Sequence, residues 1–210
     1  MANKKSDETT EMAILTAARK VFTHRGFAAT RMEDIATEAG INRALLHYYF
    51  RSKEKMFDII FEQRISEFFT GLISILSSDL ALPDKIRAIV EHDIETISQQ
   101  QDLPMFILQE LSQNPQRLID YAEKAGAHPA QMLKIIAAQV KNEVAAGRIR
   151  PIDPGQLLIN IMSLSLYPFI AKPMVKAVQS LDDAGFDRMM KRRKKEVADF
   201  VLSAITISPR

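Results

Sequence analysis

The stretch Arg43–Tyr49 concentrates side chains that can read nucleic acid: Arg43, Leu45, His47, Tyr48 and Tyr49. A guanidinium can fork onto the O6 and N7 of guanine, an imidazole or phenol can reach a base edge or a phosphate, and a leucine can touch a thymine methyl. Arg43 and His47 are the expected base readers, with Leu45 as an apolar contact. Thr30, Arg31, Asn42, Tyr48, Tyr49 and Lys53 complete the expected DNA-binding set. Thr30, Tyr48, Tyr49 and Lys53 are read as phosphate contacts, which fix register and not sequence. Between Arg43 and Lys55 four basic residues stand against the single acid Glu54, so the segment is locally positive although the whole chain carries only +2.

Other chemistries lack their residues. The histidines are His24, His47, His92 and His128, and the residues three before them are Val21, Ala44, Ile89 and Ala125. No Glu-x-x-His pair for a di-metal carboxylate site exists. The chain has no cysteine, no Gly-x-Ser-x-Gly and no phosphate-cradling glycine loop. No catalytic residue, metal or cofactor is expected, and the chain is read as not an enzyme.

The elements around the polar cluster spell two short helices and a tight turn. Thr30 and Glu33 have the spacing of a capping box, and Met32, Ile35, Ala36 and Ala39 form one apolar stripe. Gly40 is placed to end that helix in the left-handed conformation, and Asn42 is a good N-cap for the next. Leu46 and Phe50, four apart, point to a core. Ahead of them, Ile14, Leu15, Ala18, Val21 and Phe22 make the stripe of a supporting helix. Lys53 sits at the positive end of a long fourth helix, where an approaching phosphate would relieve it.

These residues resemble the N-terminal domain of the tetracycline-repressor (TetR) family of bacterial transcription regulators. The likeness rests on Gly26-Phe27, Thr30, Asp34-Ile35-Ala36, Ala39-Gly40-Ile41, Leu46, Phe50, Ser52-Lys53-Glu54 and Met56-Phe57, and covers about residues 10 to 60. Asn42 stands where serine is usual, Ala44 where glycine is, His47 where tyrosine is and Tyr49 where histidine is. The resemblance implies a homodimeric repressor that binds a pseudo-palindromic double-stranded operator and is released by a small-molecule effector. A DNA-binding regulator without such an effector, controlled by a protein partner or acting as an activator, is the alternative.

Proline punctuation and helical periodicity extend the all-α reading to the end of the chain. Helices are expected at about 8–25, 32–39, 43–49, 53–77, 83–100, 104–112, 115–125, 129–146, 154–171 and 183–206. Residues 1–52 are assigned to a three-helix, helix-turn-helix DNA-binding domain, and 53–210 to a helical effector-binding and dimerisation domain. Phe106, Glu110, Tyr121, Met132, Met162 and Tyr167 are the candidate effector contacts, for a small apolar or amphipathic molecule. The last two expected helices, rich in Leu, Ile, Met and Phe, are assigned to the dimer. The run Lys191–Lys195 spans all faces of a helix and reads as a solvated segment with acidic neighbours. The polar start lacks the apolar run of a signal peptide, and Leu157–Ala171 is too short and too polar to span a membrane, so the expected location is cytoplasmic.

Overall fold

The computed structural model describes the backbone of residues 2–100, 103–113 and 115–207, with the side chains of these apart from 2–6, 28, 106, 109–111 and 113. Eleven helices account for almost all of it: α1 (Ala2–Ala29), α2 (Met32–Glu38), α3 (Arg43–Tyr49), α4 (Lys53–Ser77), α5 (Leu82–Gln99), α6 (Leu103–Gln113), α7 (Pro115–Lys124), α8 (Pro129–Ala145), α9 (Pro154–Ile170), α10 (Lys172–Gln179) and α11 (Asp183–Ile205). The fold is all-α, as the periodicity predicts. The one extended contact among the described residues is an isolated antiparallel bridge between Ile149 and Thr206.

Two compact units divide the chain, Met1–Arg64 and Ile65–Arg210, so the division falls inside α4. In the first unit, α1 turns at Gly26, whose φ of 72° and ψ of 164° no ordinary residue adopts cheaply. Phe22, Phe27, Phe57 and Phe61 build an aromatic column there, with Phe22 edge-on to Phe57 at 5.3 Å. Ile14, Ala18, Ile35, Leu46, Phe50 and Met56 are fully buried around it. The opening turns of α4 therefore belong to the core of the first unit.

The second unit is built on α5, whose residues Ile86, Ile89, Val90, Ile94 and Ile97 recur at helical spacing and are all buried. They pack with Leu157 and Ile161 of α9 and with Phe186, Met190, Val197 and Val201 of α11 in one core cluster. Much of the apolar stripe read as a dimer surface is thus consumed within the chain. Lys85 is buried in this core, yet its ammonium donates to the carbonyls of Leu76, at 2.7 Å, and Ser78, at 2.9 Å. A lysine of α5 thereby caps one carbonyl of the last turn of α4 and one just beyond it. Close approach also fixes Gly71 of α4: a Cβ there would lie 2.3 Å from Cε1 of His92. The imidazole uses that space to bond the Phe68 carbonyl at 2.9 Å through Nε2.

Helix α10 departs from expectation. Residues 172–179 fall between two expected helices, and neither a capping side chain nor a terminal glycine marks them. Ala171 caps the start without a side-chain bond, and Ser180 closes the end at φ 52°, in the left-handed region glycine usually takes. No single helix among the described residues is long and apolar enough to cross a membrane. The pair α9–α10, bent by 76°, reaches that length and composition only together, and the inner face of α9 is spent on the core.

Candidate functional site

Helix α3 is held from three sides. Asn42 Oδ1 accepts from the Leu45 amide at 2.8 Å, satisfying an orphan donor of the first turn. Leu46 and Phe50 are buried beneath it. In the turn before it, Gly40 has a φ of 66°, and the Ile41 amide donates back to the Ala36 carbonyl at 3.0 Å, which closes α2 as a Schellman motif. Leu46 points inward, while the face carrying Arg43, Leu45, His47 and Tyr48 is turned to solvent, with Tyr48 exposed to 77%. Arg43 Nε donates to Nε2 of His47, one turn on, at 3.4 Å, and the two polar groups share one edge of the helix. Arg31 and Asn42 are exposed beside them.

Three members of the expected DNA-binding set are occupied otherwise. Thr30 is buried, and its hydroxyl donates to the Gly26 carbonyl at 2.7 Å, which steadies the turn between α1 and α2. Thr30 is not the capping residue of α2. The N-cap is Arg31, one position later, and the reciprocal bond comes from Asp34, whose Oδ2 accepts from the Arg31 amide at 2.9 Å. Asp34 also pairs with Arg25 at 2.7 Å. The Lys53 ammonium, expected at a phosphate, turns inward to the carbonyls of Phe27, at 2.9 Å, and Thr30, at 3.0 Å, and lies over the Phe27 ring. Inward bonds relieve the lysine at the positive helix end with backbone carbonyls. Tyr49 is half-buried and donates to Asp7 Oδ1 at 2.9 Å. That bond and the neighbouring carboxylate hold its phenol above the usual range.

The second unit contains a cavity of about 350 Å³, within the range of small-molecule sites. Met132 and Met162, both expected as effector contacts, line it. Tyr121 and Tyr167 do not. Tyr121 is buried on α7 with its hydroxyl accepting from Arg117 Nε at 3.3 Å, and Tyr167 is on the outward face of α9, opposite the inward Leu157, Ile161 and Ser165. The side chains of Phe106 and Glu110 lie outside the described residues. Sequence reasoning missed the one polar residue of the described lining, Asp93. It is 1% exposed, and neither carboxylate oxygen has a hydrogen-bond partner among the described residues. Burial alone pushes its pKa up to about 7. Its signal was available: Asp93 falls four residues after Ile89 and four before Ile97, inside the apolar stripe of α5.

The basic run has acidic and backbone partners. Arg193 donates from Nε to the Leu164 carbonyl at 3.0 Å, Lys194 pairs with Glu95, and Lys195 pairs with Asp199. Among the described residues no group of three or more His, Cys, Asp or Glu is arranged to hold a metal ion.

A short capped helix presenting a basic and aromatic polar face, set after a glycine turn on a buried three-helix core, defines a helix-turn-helix DNA-binding protein. Residues 14–60 match the family of bacterial regulatory proteins, tetR family. The transcriptional regulator RutR of Escherichia coli K12 is 29% identical over 170 residues, covering 79% of this chain and 76% of its own. The transcriptional repressor NicS of Pseudomonas putida is 43% identical over 72 residues, 34% of each chain. The ketosteroid transcriptional regulator KstR2 of Mycobacterium tuberculosis shares the fold, with a TM-score of 0.69 at 20% identity over 94% of this chain and 95% of its own. Residues 14–60 thus carry a tetR-family DNA-binding domain, and most of the chain is similar to a transcriptional regulator.

Proposed function

We propose that this regulator is a homodimeric repressor that binds a pseudo-palindromic operator and is released by a small apolar or amphipathic molecule. The observation that carries the reading is α3, which is anchored by Leu46 and Phe50 and turns Arg43, Leu45, His47 and Tyr48 to solvent. Arg43 and His47 read base edges in the major groove, and Leu45 meets a thymine methyl. Arg31, Asn42 and Tyr48 bind phosphates. Thr30, Tyr49 and Lys53 act indirectly, by holding the head in shape. Residues 1–52 with the opening turns of α4 form that head, and the remainder senses the effector and dimerises.

Dimerisation through α9 and α11 is supported by the apolar groups they leave uncovered: Phe200 is 64% exposed and Ile159 is 54% exposed. The apolar cavity favours a small-molecule effector over control by a protein partner alone. An effector shifts the balance of DNA-binding and released states only by its differential affinity, and a move from 1:99 to 99:1 needs about 5.5 kcal/mol. The protein acts in the cytoplasm without enzymatic activity.

Selection of bound sequences from a random double-stranded DNA pool tests this reading. An enriched inverted repeat, bound by a dimer in sedimentation, is the expected result. Salt-sensitive binding without enrichment would overturn the assignment of α3 as a sequence reader.

A further inference from the structure

A carboxylate placed in the middle of a helix's apolar stripe is a poor choice for packing. An isolated buried polar group costs stability unless a partner satisfies it. Asp93 has none among the described residues, and it borders a cavity large enough for a ligand. Every other described residue of that lining is apolar: Phe68, Phe69 and Leu72 of α4 and Ile161, Met162 and Leu166 of α9 are among them. The neighbouring titratable group on α5, His92, is engaged with the Phe68 carbonyl and with Thr96, and is not part of the lining.

We infer that this cavity is a receptor for amphipathic organic cations, with Asp93 as the counter-charge for the ligand's ammonium and the apolar walls as the seat of its hydrocarbon or aromatic body. The assignment rests on the reading of the second unit as an effector domain and names the class of effector. Head groups can be ranked by chemistry. An ammonium brings both N–H donors and opposite charge to oxygens that lack both. An alcohol brings a single neutral donor. A carboxylate adds like charge beside a group already hard to ionise, and so opposes binding. Phe68 and Phe69, edge-to-face with centroids 5.5 Å apart, add aromatic surface to the wall, which suits a cation with an aryl or alkyl body.

Three probes of matched body separate these head groups: phenylbutylamine, phenylbutanol and phenylbutyrate, titrated calorimetrically into the full-length protein at pH 8 without DNA. The amine is expected to bind about tenfold or more tighter than the alcohol, with the butyrate weakest. In Asp93→Asn the advantage of amine over alcohol should shrink to about threefold or less, on the same conversion of energy to affinity. The wild-type comparison needs no variant, so a failure of Asp93→Asn to fold leaves the test intact. An alcohol or butyrate that binds wild type as tightly as the amine overturns the assignment, as does an amine preference that survives in Asp93→Asn. A phenylbutylamine that binds with the expected preference yet leaves the protein on its operator supports the cavity assignment and refutes effector release. The two readings therefore fail separately.

Discussion

Replacing Asp93 with asparagine should remove a specific pH dependence from folding. Burial raises the Asp93 pKa from 3.8 to about 7. Between those values the folded protein keeps a proton that the unfolded chain has released. The folded state is therefore favoured at low pH, and that advantage is lost as pH rises toward 7, after which the curve is flat. About three pKa units at 1.36 kcal/mol each give about 4 kcal/mol in all. Just over one unit of the interval lies below pH 5, so about 2.5 kcal/mol falls between pH 5 and pH 8. Asparagine keeps the shape and the buried polar atoms but cannot titrate. Urea denaturation of both proteins at fixed concentration, at pH 5 and pH 8, measures the difference of differences. Circular dichroism is the suitable probe, because the chain has no tryptophan. Wild type should lose about 2.5 kcal/mol more than Asp93→Asn on going from pH 5 to pH 8. A differential below about 0.5 kcal/mol, or one of opposite sign, would mean that Asp93 is solvated or paired, and the reasoning about the cavity would fall with it.

Gly71→Ala should destabilise the second unit by about 1–2 kcal/mol, since the clash with His92 outweighs the helical preference of alanine; a stabilised variant in urea melts would refute the close approach. Lys85→Met retains the apolar stem but leaves the last carbonyls of α4 unsatisfied, and should cost about 1–3 kcal/mol in the same assay. Arg43→Ala should lose about 1–3 kcal/mol of specific DNA binding with its melting temperature unchanged, read by titration against the selected site and a scrambled one. Lys53→Met should lower the melting temperature as well as DNA binding, because its ammonium secures Phe27 and Thr30; an unchanged melting temperature with a reduced salt slope would return Lys53 to the phosphates.

The head was legible because its signals are local. Gly40 and Asn42 each act within a few residues, and the stripe of α2 needs only one turn to be seen. Thr30 shows the limit of that locality: a threonine before a helix reads as a cap, yet the helix starts one residue later, with Arg31 as its N-cap. The bonds of Lys53 are equally hidden from the sequence, since its partners lie 23 and 26 residues upstream. In the body, the isoleucines of α5 mark its buried stripe, but Lys85 and Asp93 carry charges that the sequence alone gives no reason to bury. Both sit in register with the buried stripe, so periodicity placed them correctly while residue type argued against it. The carbonyls that suit Lys85 and the cavity that isolates Asp93 belong to other helices, which no single stretch of sequence displays. Tyr121 and Tyr167 have the residue type of a ligand contact but not the position, which other helices decide.

The hollow beside Asp93 also bears on how long the protein survives. An empty cavity and a lone carboxyl both lower the folding stability of the unoccupied form. Any occupant that binds only the folded chain raises it by mass action. Cells clear transiently unfolded chains by proteolysis, so under the proposed function an empty regulator is expected to turn over faster than a filled one. Its abundance would then follow the supply of the molecule it senses. Under the proposed function, release from DNA would be accompanied, over the lifetime of the protein, by a slow accumulation of regulator that outlasts the signal.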